Sequence, residues 1–207
     1  MHTSVSHTIR RPPIAPDSSS TARISGEIPQ RPQVLLYLIE LDQRAFERIS
    51  SARSPGLDTA MTLITDASRH ARLLVMFSGV LSVFGGVVGR RSAGEALIAV
   101  GVTTTAANAV VKSAAQRGPA GSAPGPVLPS GRTASASAFA TVVGDHIPAL
   151  SLPLNSFAAA VGASRVYNGV HHPRNVALGW LFGKAVGIAV LRIGRAVEDR
   201  QRRGAAQ

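Results

Sequence analysis

The chain has 207 residues, enough for one domain with tails, and joins 45% apolar residues to only 16% charged ones and a formal net charge of +11. A basic nucleic-acid binder spreads its charge over a polar face, so this pairing excludes nucleic acid as a partner, and the absence of Cys excludes disulfides and thiolate metal sites. What remains is the composition of a membrane protein whose arginines mark its loops.

The opening stretch, MHTSVSHTIRRPPIAPDSSSTARISGEIPQ, is rich in Pro, Ser, Thr and Arg and holds no apolar core of the length a secretory signal needs. Residues 1–33 are therefore expected to be a disordered tail. From Val34 to Ile49 the apolar residues Leu35, Leu38, Ile39, Leu41, Ala45, Phe46 and Ile49 follow helical spacing, with Glu40, Asp42, Arg44, Glu47 and Arg48 between them. That pattern predicts an amphipathic helix that lies at the membrane interface or packs on a bundle. A second short helix is expected around Leu57 to Thr65, ending in the polar segment Asp66 to Arg72.

Beyond it the character changes. Residues 73–89, LLVMFSGVLSVFGGVVG, are uncharged, and Arg90, Arg91 and Glu95 are expected to form a loop. A second uncharged block, 96–111, is closed by Lys112, and residues 113–129, rich in Gly, Pro and Ser, read as a loop. Uncharged blocks at 133–144 and 147–163 flank Asp145-His146, and 176–191 is the last apolar block, with Lys184 near its middle. Each block is short against the roughly 20 residues that cross a bilayer. Terminal Arg and Lys can snorkel, and abundant Gly, Ala, Ser and Thr suit close packing in lipid. A soluble bundle must show water a polar face, and five such blocks in succession offer almost none. The expected architecture is all-α: a membrane-embedded helical bundle of about five spans over residues 34–195, with a basic C-terminal tail at 196–207.

Five spans put the loops 112–132 and 164–175 on one side and Arg90, Arg91, Arg192, Arg195, Arg200, Arg202 and Arg203 on the other. The positive-inside tendency makes the second side cytoplasmic, so the first faces out. On that outer side stand Lys112, Arg117, Ser130, Arg132, Arg165, His171, His172 and Arg174. Several cations and a small Ser-Gly turn at a helix start suit a tetrahedral oxyanion, held by backbone N–H groups, the helix dipole and charge-assisted bonds. A lone His near a membrane surface is ordinarily a solvated residue. Among these cations, His171 suggests phosphoryl chemistry by attack of neutral imidazole on phosphorus.

The spacing Lys112-x4-Arg117, Pro129-Ser130-Gly131-Arg132 and Ser164-Arg165-x5-His171-x3-Asn175 resembles the type 2 phosphatidic acid phosphatase (PAP2) superfamily, in particular its small actinobacterial-type members. The likeness runs from about Leu41 to Leu191, and SRVYNGVHHPRNVALGW and SGRTASASAFA are its most specific parts. It implies a membrane phosphatase that hydrolyses phosphomonoesters or pyrophosphates of lipids with no metal or other cofactor. Carried over residue by residue, it implies Lys112, Arg117, Ser130, Gly131 and Arg165 as phosphate ligands and His171 as the nucleophile of a phosphohistidine.

Three positions depart from the family pattern. Pro119-Ala120 stands where Arg-Pro is expected, Arg132 where a His protonates the leaving oxygen, and Asn175 where a carboxylate orients the nucleophile. Arg cannot act as a general acid near neutral pH, a role typically contributing about 10²–10⁴-fold. Arg132 can instead serve as a phosphate clamp, and Asn175 can still accept a hydrogen bond from the imidazole. A pyrophosphate, whose leaving group needs less protonation, would suffer least. Two functions stay open: hydrolysis of a lipid phosphate or polyprenyl pyrophosphate, and binding of an anionic lipid headgroup without turnover. A purely structural membrane role is a weaker third. His172 reads as a bystander, His146 lies on the opposite face, and Trp180 and Tyr167 read as packing or interface residues.

Overall fold

A computed structural model of the chain describes residues 33–67, 72–117 and 128–205. The tail expected over 1–33 lies outside these residues, except that Gln33 opens the first helix. Among the described residues there is no strand, and seven α-helices follow one another: α1 Gln33–Ser51, α2 Pro55–Ala67, α3 Arg72–Phe84, α4 Gly86–Arg117, α5 Gly131–His146, α6 Ser151–Tyr167 and α7 Pro173–Ala205. A 3₁₀ turn at Pro148–Leu150 joins α5 to α6.

The expected loop at Arg90–Glu95 is not there. Those residues lie inside α4, and the chain turns earlier, at Gly85-Gly86. Gly86 has φ +61°, a left-handed value that glycine adopts without steric cost. A Cβ on Gly89 would stand 2.3 Å from the Leu81 carbonyl oxygen, so the two helices meet there backbone to backbone. Arg91 Nε donates to Glu95 Oε1 at 2.9 Å one helical turn on, a pairing that favours helix over loop. The correction leaves both arginines at the same end of the bundle. The other boundaries shift in the same sense: α4 runs on through 113–117, α7 continues through the basic segment to Ala205, and the loop expected over 164–175 shrinks to 168–172.

Helix α5 occupies the centre, packed on α4, α6 and α7, and its residues Thr133 to Ala140 are all buried. Its neighbours come close because their contact surfaces are small. Gly179, Gly183 and Gly187 recur every four residues along one face of α7. A Cβ at Gly179 would lie 2.6 Å from the Ser130 carbonyl oxygen, and one at Gly183 would lie 2.1 Å from that of Ala134. Ala93, Ala96 and Ala99 of α4 are likewise buried, and Phe139, Val142 and Val143 of α5 pack with Leu74, Leu81 and Leu191 in the same core.

The large apolar residues point outward instead. Met76, Val83 and Phe84 of α3, Val87 and Ile98 of α4, and Leu181 and Ile193 of α7 are all exposed. Small residues inside and large apolar ones outside is the pattern of helices that pack by contact and face lipid. Among the described residues two helices are long and apolar enough to cross a membrane, over Gly86–Ser113 and Pro173–Ala205, and α3 is a shorter apolar helix.

The end of the bundle away from α5's first turn is tied by ions. Arg91 bridges Glu95 and Glu198, His146 Nε2 lies 2.9 Å from Glu95 Oε2, and Arg195 pairs with Asp145. His146 is thus a structural residue one helix length, about 24 Å, from the start of α5.

The Gly183 contact generates a prediction. Gly183→Val should destabilise the detergent-solubilised protein by about 3 kcal/mol or more, because backbone must move to admit the side chain. Gly101→Ala, on a face where nothing lies within 4 Å, should be neutral or slightly stabilising. Thermal unfolding followed by loss of monodisperse protein checks both.

Candidate active site

The second motif forms the entrance to α5. Ser130 precedes the helix in an extended conformation (φ −66°, ψ 105°), and its side chain makes no capping bond to the helix. The amides of Gly131, Arg132 and Thr133 belong to the first turn, where no carbonyl four residues earlier lies within the helix. They give this end its positive dipole.

The third motif forms the end of α6 and the loop after it. Arg165 sits in the last turn of α6, 8% exposed, and its carbonyl accepts from the N–H of both Val170 (3.0 Å) and His171 (3.1 Å). Gly169, with φ +68°, lets the chain reverse between them. His171 is thereby carried back beneath the end of α6.

These elements enclose a cavity of about 450 Å³. Gly131, Arg132, Arg165 and His171 share its wall, together with Thr104 and Asn108 of α4 and Ser135 of α5. Leu73, Leu74, Phe157 and Val161 supply an apolar surface in the same cavity. Thr104 Oγ1 and Ser135 Oγ are 3.0 Å apart, bridging α4 to α5.

Charge is unbalanced here. Arg132 Nη1 and Arg165 Nε are buried and make no hydrogen bond to any described residue. Among the described residues no carboxylate lines the cavity. Two guanidinium groups close enough to repel, with donors left free, are held by the packing of α5 and α6 in an arrangement that an anion would relieve. The same setting depresses the His171 pKa below its ordinary value: burial disfavours the cation, and the charges of Arg165 and Arg132 add to it. The shift favours the neutral imidazole, the form that can attack an electrophile.

The expected residues divide. Gly131, Arg132, Arg165 and His171 come together in one wall. Ser130 does not: it is fully buried, its N–H donates to the Asn175 carbonyl at 2.9 Å, and its Oγ accepts from Thr133 Oγ1 at 3.0 Å. Gly179 lets the backbone approach that wedges Ser130 between α5 and α7, away from the cavity. Asn175 is not seen to bond the imidazole; its Oδ1 is buried without a partner, and it contributes its main-chain carbonyl, which ties the second motif to the third. Lys112 is exposed on α4, one turn beyond Asn108 and outside the cavity wall. Arg117 closes α4, and its side chain and the Pro119-Ala120 pair lie outside what is described. His172 stacks on Phe46, Tyr167 donates to Asp58 Oδ1 at 2.8 Å, and Lys184 lies 5.8 Å from the Trp180 ring centre.

Thr104, Asn108 and Ser135 escaped sequence reasoning. The legible signal was the spacing Thr104-x3-Asn108-x3-Lys112, which puts three polar residues on one face of an otherwise apolar helix.

The comparisons with known proteins agree with this geometry. The PAP2 superfamily model matches residues 68–198. The LpxE protein of Aquifex aeolicus superposes with a TM-score of 0.60 at 25% identity, covering 73% of this chain and 95% of its own. A transmembrane PAP2-type phosphatidylglycerolphosphate phosphatase from Bacillus subtilis superposes with a TM-score of 0.57 at 22% identity, covering 78% of this chain and 88% of its own. No curated protein matches the chain.

The electrostatics of His171 can be tested directly. In detergent, its imidazole should titrate below the ordinary value of about 6.5, and Arg132→Gln should raise that pKa by removing one of the opposing charges. Ring-carbon NMR of labelled histidine across pH 4.5–8 reads both values, with His171→Ala assigning the resonance.

Proposed function

The chain belongs to the PAP2 superfamily and is an all-α membrane helical bundle, and from that premise we propose that it is a multi-pass membrane phosphatase acting on a lipid phosphate or a polyprenyl pyrophosphate. The observation that carries this reading is the half-buried His171 sharing a cavity wall with two guanidinium groups whose buried donors are free. The Bacillus neighbour, described as acting on phosphatidylglycerolphosphate, supports a lipid as substrate, as does the apolar surface of Leu73, Leu74, Phe157 and Val161.

In this reading the phosphoryl oxygens bind Arg132, Arg165 and the Gly131 amide at the positive end of α5. Lys112, exposed on α4 beyond Asn108, supplies a further cation, and the likeness to the family adds Arg117. An imidazole nitrogen of His171 attacks phosphorus, the bond from phosphorus to the bridging oxygen breaks, and the leaving group departs with that electron pair. Water then cleaves the N–P bond and releases inorganic phosphate. Asn175 holds the start of α7 in place behind His171 through its carbonyl bond to Ser130. No metal or other cofactor is called on.

The leaving oxygen takes its proton from solvent. Among the described residues of the cavity wall, Arg132, Arg165 and His171 are the titratable ones, and neither arginine can donate near neutral pH. This favours a leaving group that is already a weak base, the phosphate of a pyrophosphate. The same observation supports a second reading, in which the site binds an anionic headgroup without turning it over. The site end of the bundle faces out of the cytoplasm, since the arginine-rich ends of α4 and α7 mark the opposite side as internal.

Phosphate release from a phosphatidic acid, a polyprenyl phosphate and a polyprenyl pyrophosphate decides between the readings. The expected result is release that disappears in His171→Ala and is fastest on the pyrophosphate. Arg132→His, which restores a proton donor, should raise turnover of the monophosphates by more than about tenfold, within the range of general acid catalysis. Equal silence of wild type and His171→Ala on all three would favour headgroup binding.

A further inference from the structure

Helix α7 begins in a way its own sequence does not support. Its first carbonyl acceptor is His172, which receives the N–H of Asn175 (3.0 Å) and Val176 (3.3 Å), and Pro173 follows. Proline suits a first helical position, but histidine is a poor cap compared with Ser, Thr, Asp or Asn. The free N–H of Arg174 is satisfied from elsewhere. It donates to Asp42 Oδ1 of α1 at 2.7 Å.

Asp42 does more than cap. Its side chain is only 8% exposed, and its Oδ2 stands 3.3 Å from His172 Nδ1 and 3.5 Å from Arg174 Nε. Those two contacts are within ion-pair range without hydrogen-bond geometry, so the Arg174 N–H bond is the directional one. One turn along α1, Phe46 stacks on the His172 ring with centroids 4.6 Å apart. Helix α2 adds two more ties: Tyr167 donates to Asp58, and Asn168 Nδ2 donates to Thr65 Oγ1 at 2.8 Å. Every one of these bonds lands on residues 167–174, the segment that presents His171. None comes from the part of the chain matched by the family, which begins at residue 68.

We propose that Asp42 is a positioning residue for the His171 loop, supplying from α1 both the missing cap of α7 and a buried carboxylate behind a motif whose own carboxylate position is Asn175. A negative charge at a helix N-terminus is stabilising, and here it fixes the loop on the side opposite the cavity. It also offsets part of the positive charge that Arg132, Arg165 and Arg174 concentrate around the loop. His171 can then keep its place without a direct bond to its imidazole. The loop-anchoring claim stands on geometry alone; its effect on turnover rests on the phosphatase reading.

The test uses the full chain in detergent, with wild type, Asp42→Ala, Asp42→Asn and His171→Ala. Hydrogen exchange of the amides in 168–176 should quicken by about tenfold or more in Asp42→Ala as the loop opens locally, with exchange in α4 and α5 unchanged. Asp42→Asn keeps an acceptor for the Arg174 N–H and should fall between. Turnover of the best substrate should drop about 10–100-fold in Asp42→Ala with KM within about twofold, as expected when a reacting group is misplaced but binding is kept. Unchanged exchange in 168–176 would overturn the proposal. So would faster exchange spread equally through α4 and α5, which marks general loosening. If wild type and His171→Ala release no phosphate alike, the phosphatase reading fails, and the exchange result still decides the role of Asp42.

Discussion

The close approach of α7 to α5 is the constraint on which the rest depends. A side chain as small as a methyl at Gly183 would run into the Ala134 carbonyl, so the two helices touch at the level of their backbones. That distance seats the Ser130 main chain against α7, and only then can its N–H reach the Asn175 carbonyl. The bond joins the entrance of α5 to the first turn of α7. Between those two helix starts lie the Gly131 and Arg132 side of the cavity and the loop that brings in His171. In lipid no water is expelled when helices meet, so packing of small residues has to supply the contact energy. The glycine stripe that holds the bundle together therefore also sets the register of the site.

The electrostatic design is a separation of charge along the bundle. At one end Arg91, Glu95, Asp145, His146, Arg195 and Glu198 answer one another across α4, α5 and α7. At the other, Arg132 and Arg165 face one cavity with no carboxylate among the described residues of its wall. Paired charges at the first end add rigidity and demand nothing from outside. Unpaired cations at the second are costly to bury unless an anion joins them. Carboxylates do approach the His171 loop and the end of α6 before it, at Asp42 and Asp58. The loop is thus anchored by negative charge on one face while the other face stays positive.

The sequence announced the helices and most of the site because both depend on local signals. Uncharged blocks mark helices that face lipid, and Ser-Arg-x5-His places its two functional residues across a short turn, with Gly169 at the reversal. The turn at Gly85-Gly86 was hidden because charge was taken as the sign of a loop, whereas Arg91 and Glu95 pair within a helix. The burial of Ser130 and the behaviour of Asn175 were hidden for a different reason. A residue's main-chain partner depends on how closely another helix approaches, and that distance is written in Gly179, Gly183 and Gly187, which lie far along the chain from Ser130. Asp42 was visible as one polar position of an amphipathic helix. Nothing in its neighbourhood could say that it meets a backbone amide 132 positions later.

Position 132 brings these threads together. Its backbone belongs to the positive end of α5 and its side chain to the cavity wall, so whatever stands there acts on an anion twice. A histidine would exchange its proton with the leaving oxygen and be neutral for part of the cycle. Arginine keeps its charge throughout, adds to the burial and the Arg165 charge that lower the His171 pKa, and leaves its buried Nη1 free for an anion. Stronger ground-state attraction of phosphate does not by itself accelerate the chemical step, because only interactions that strengthen in the transition state do so. A site built this way gains most on a substrate whose departing group carries its own negative charge and needs no proton. On the proposed phosphatase reading, a fixed cation at position 132 would stabilise charge developing on such a leaving group, and the exchange of acid for clamp becomes a choice of leaving group.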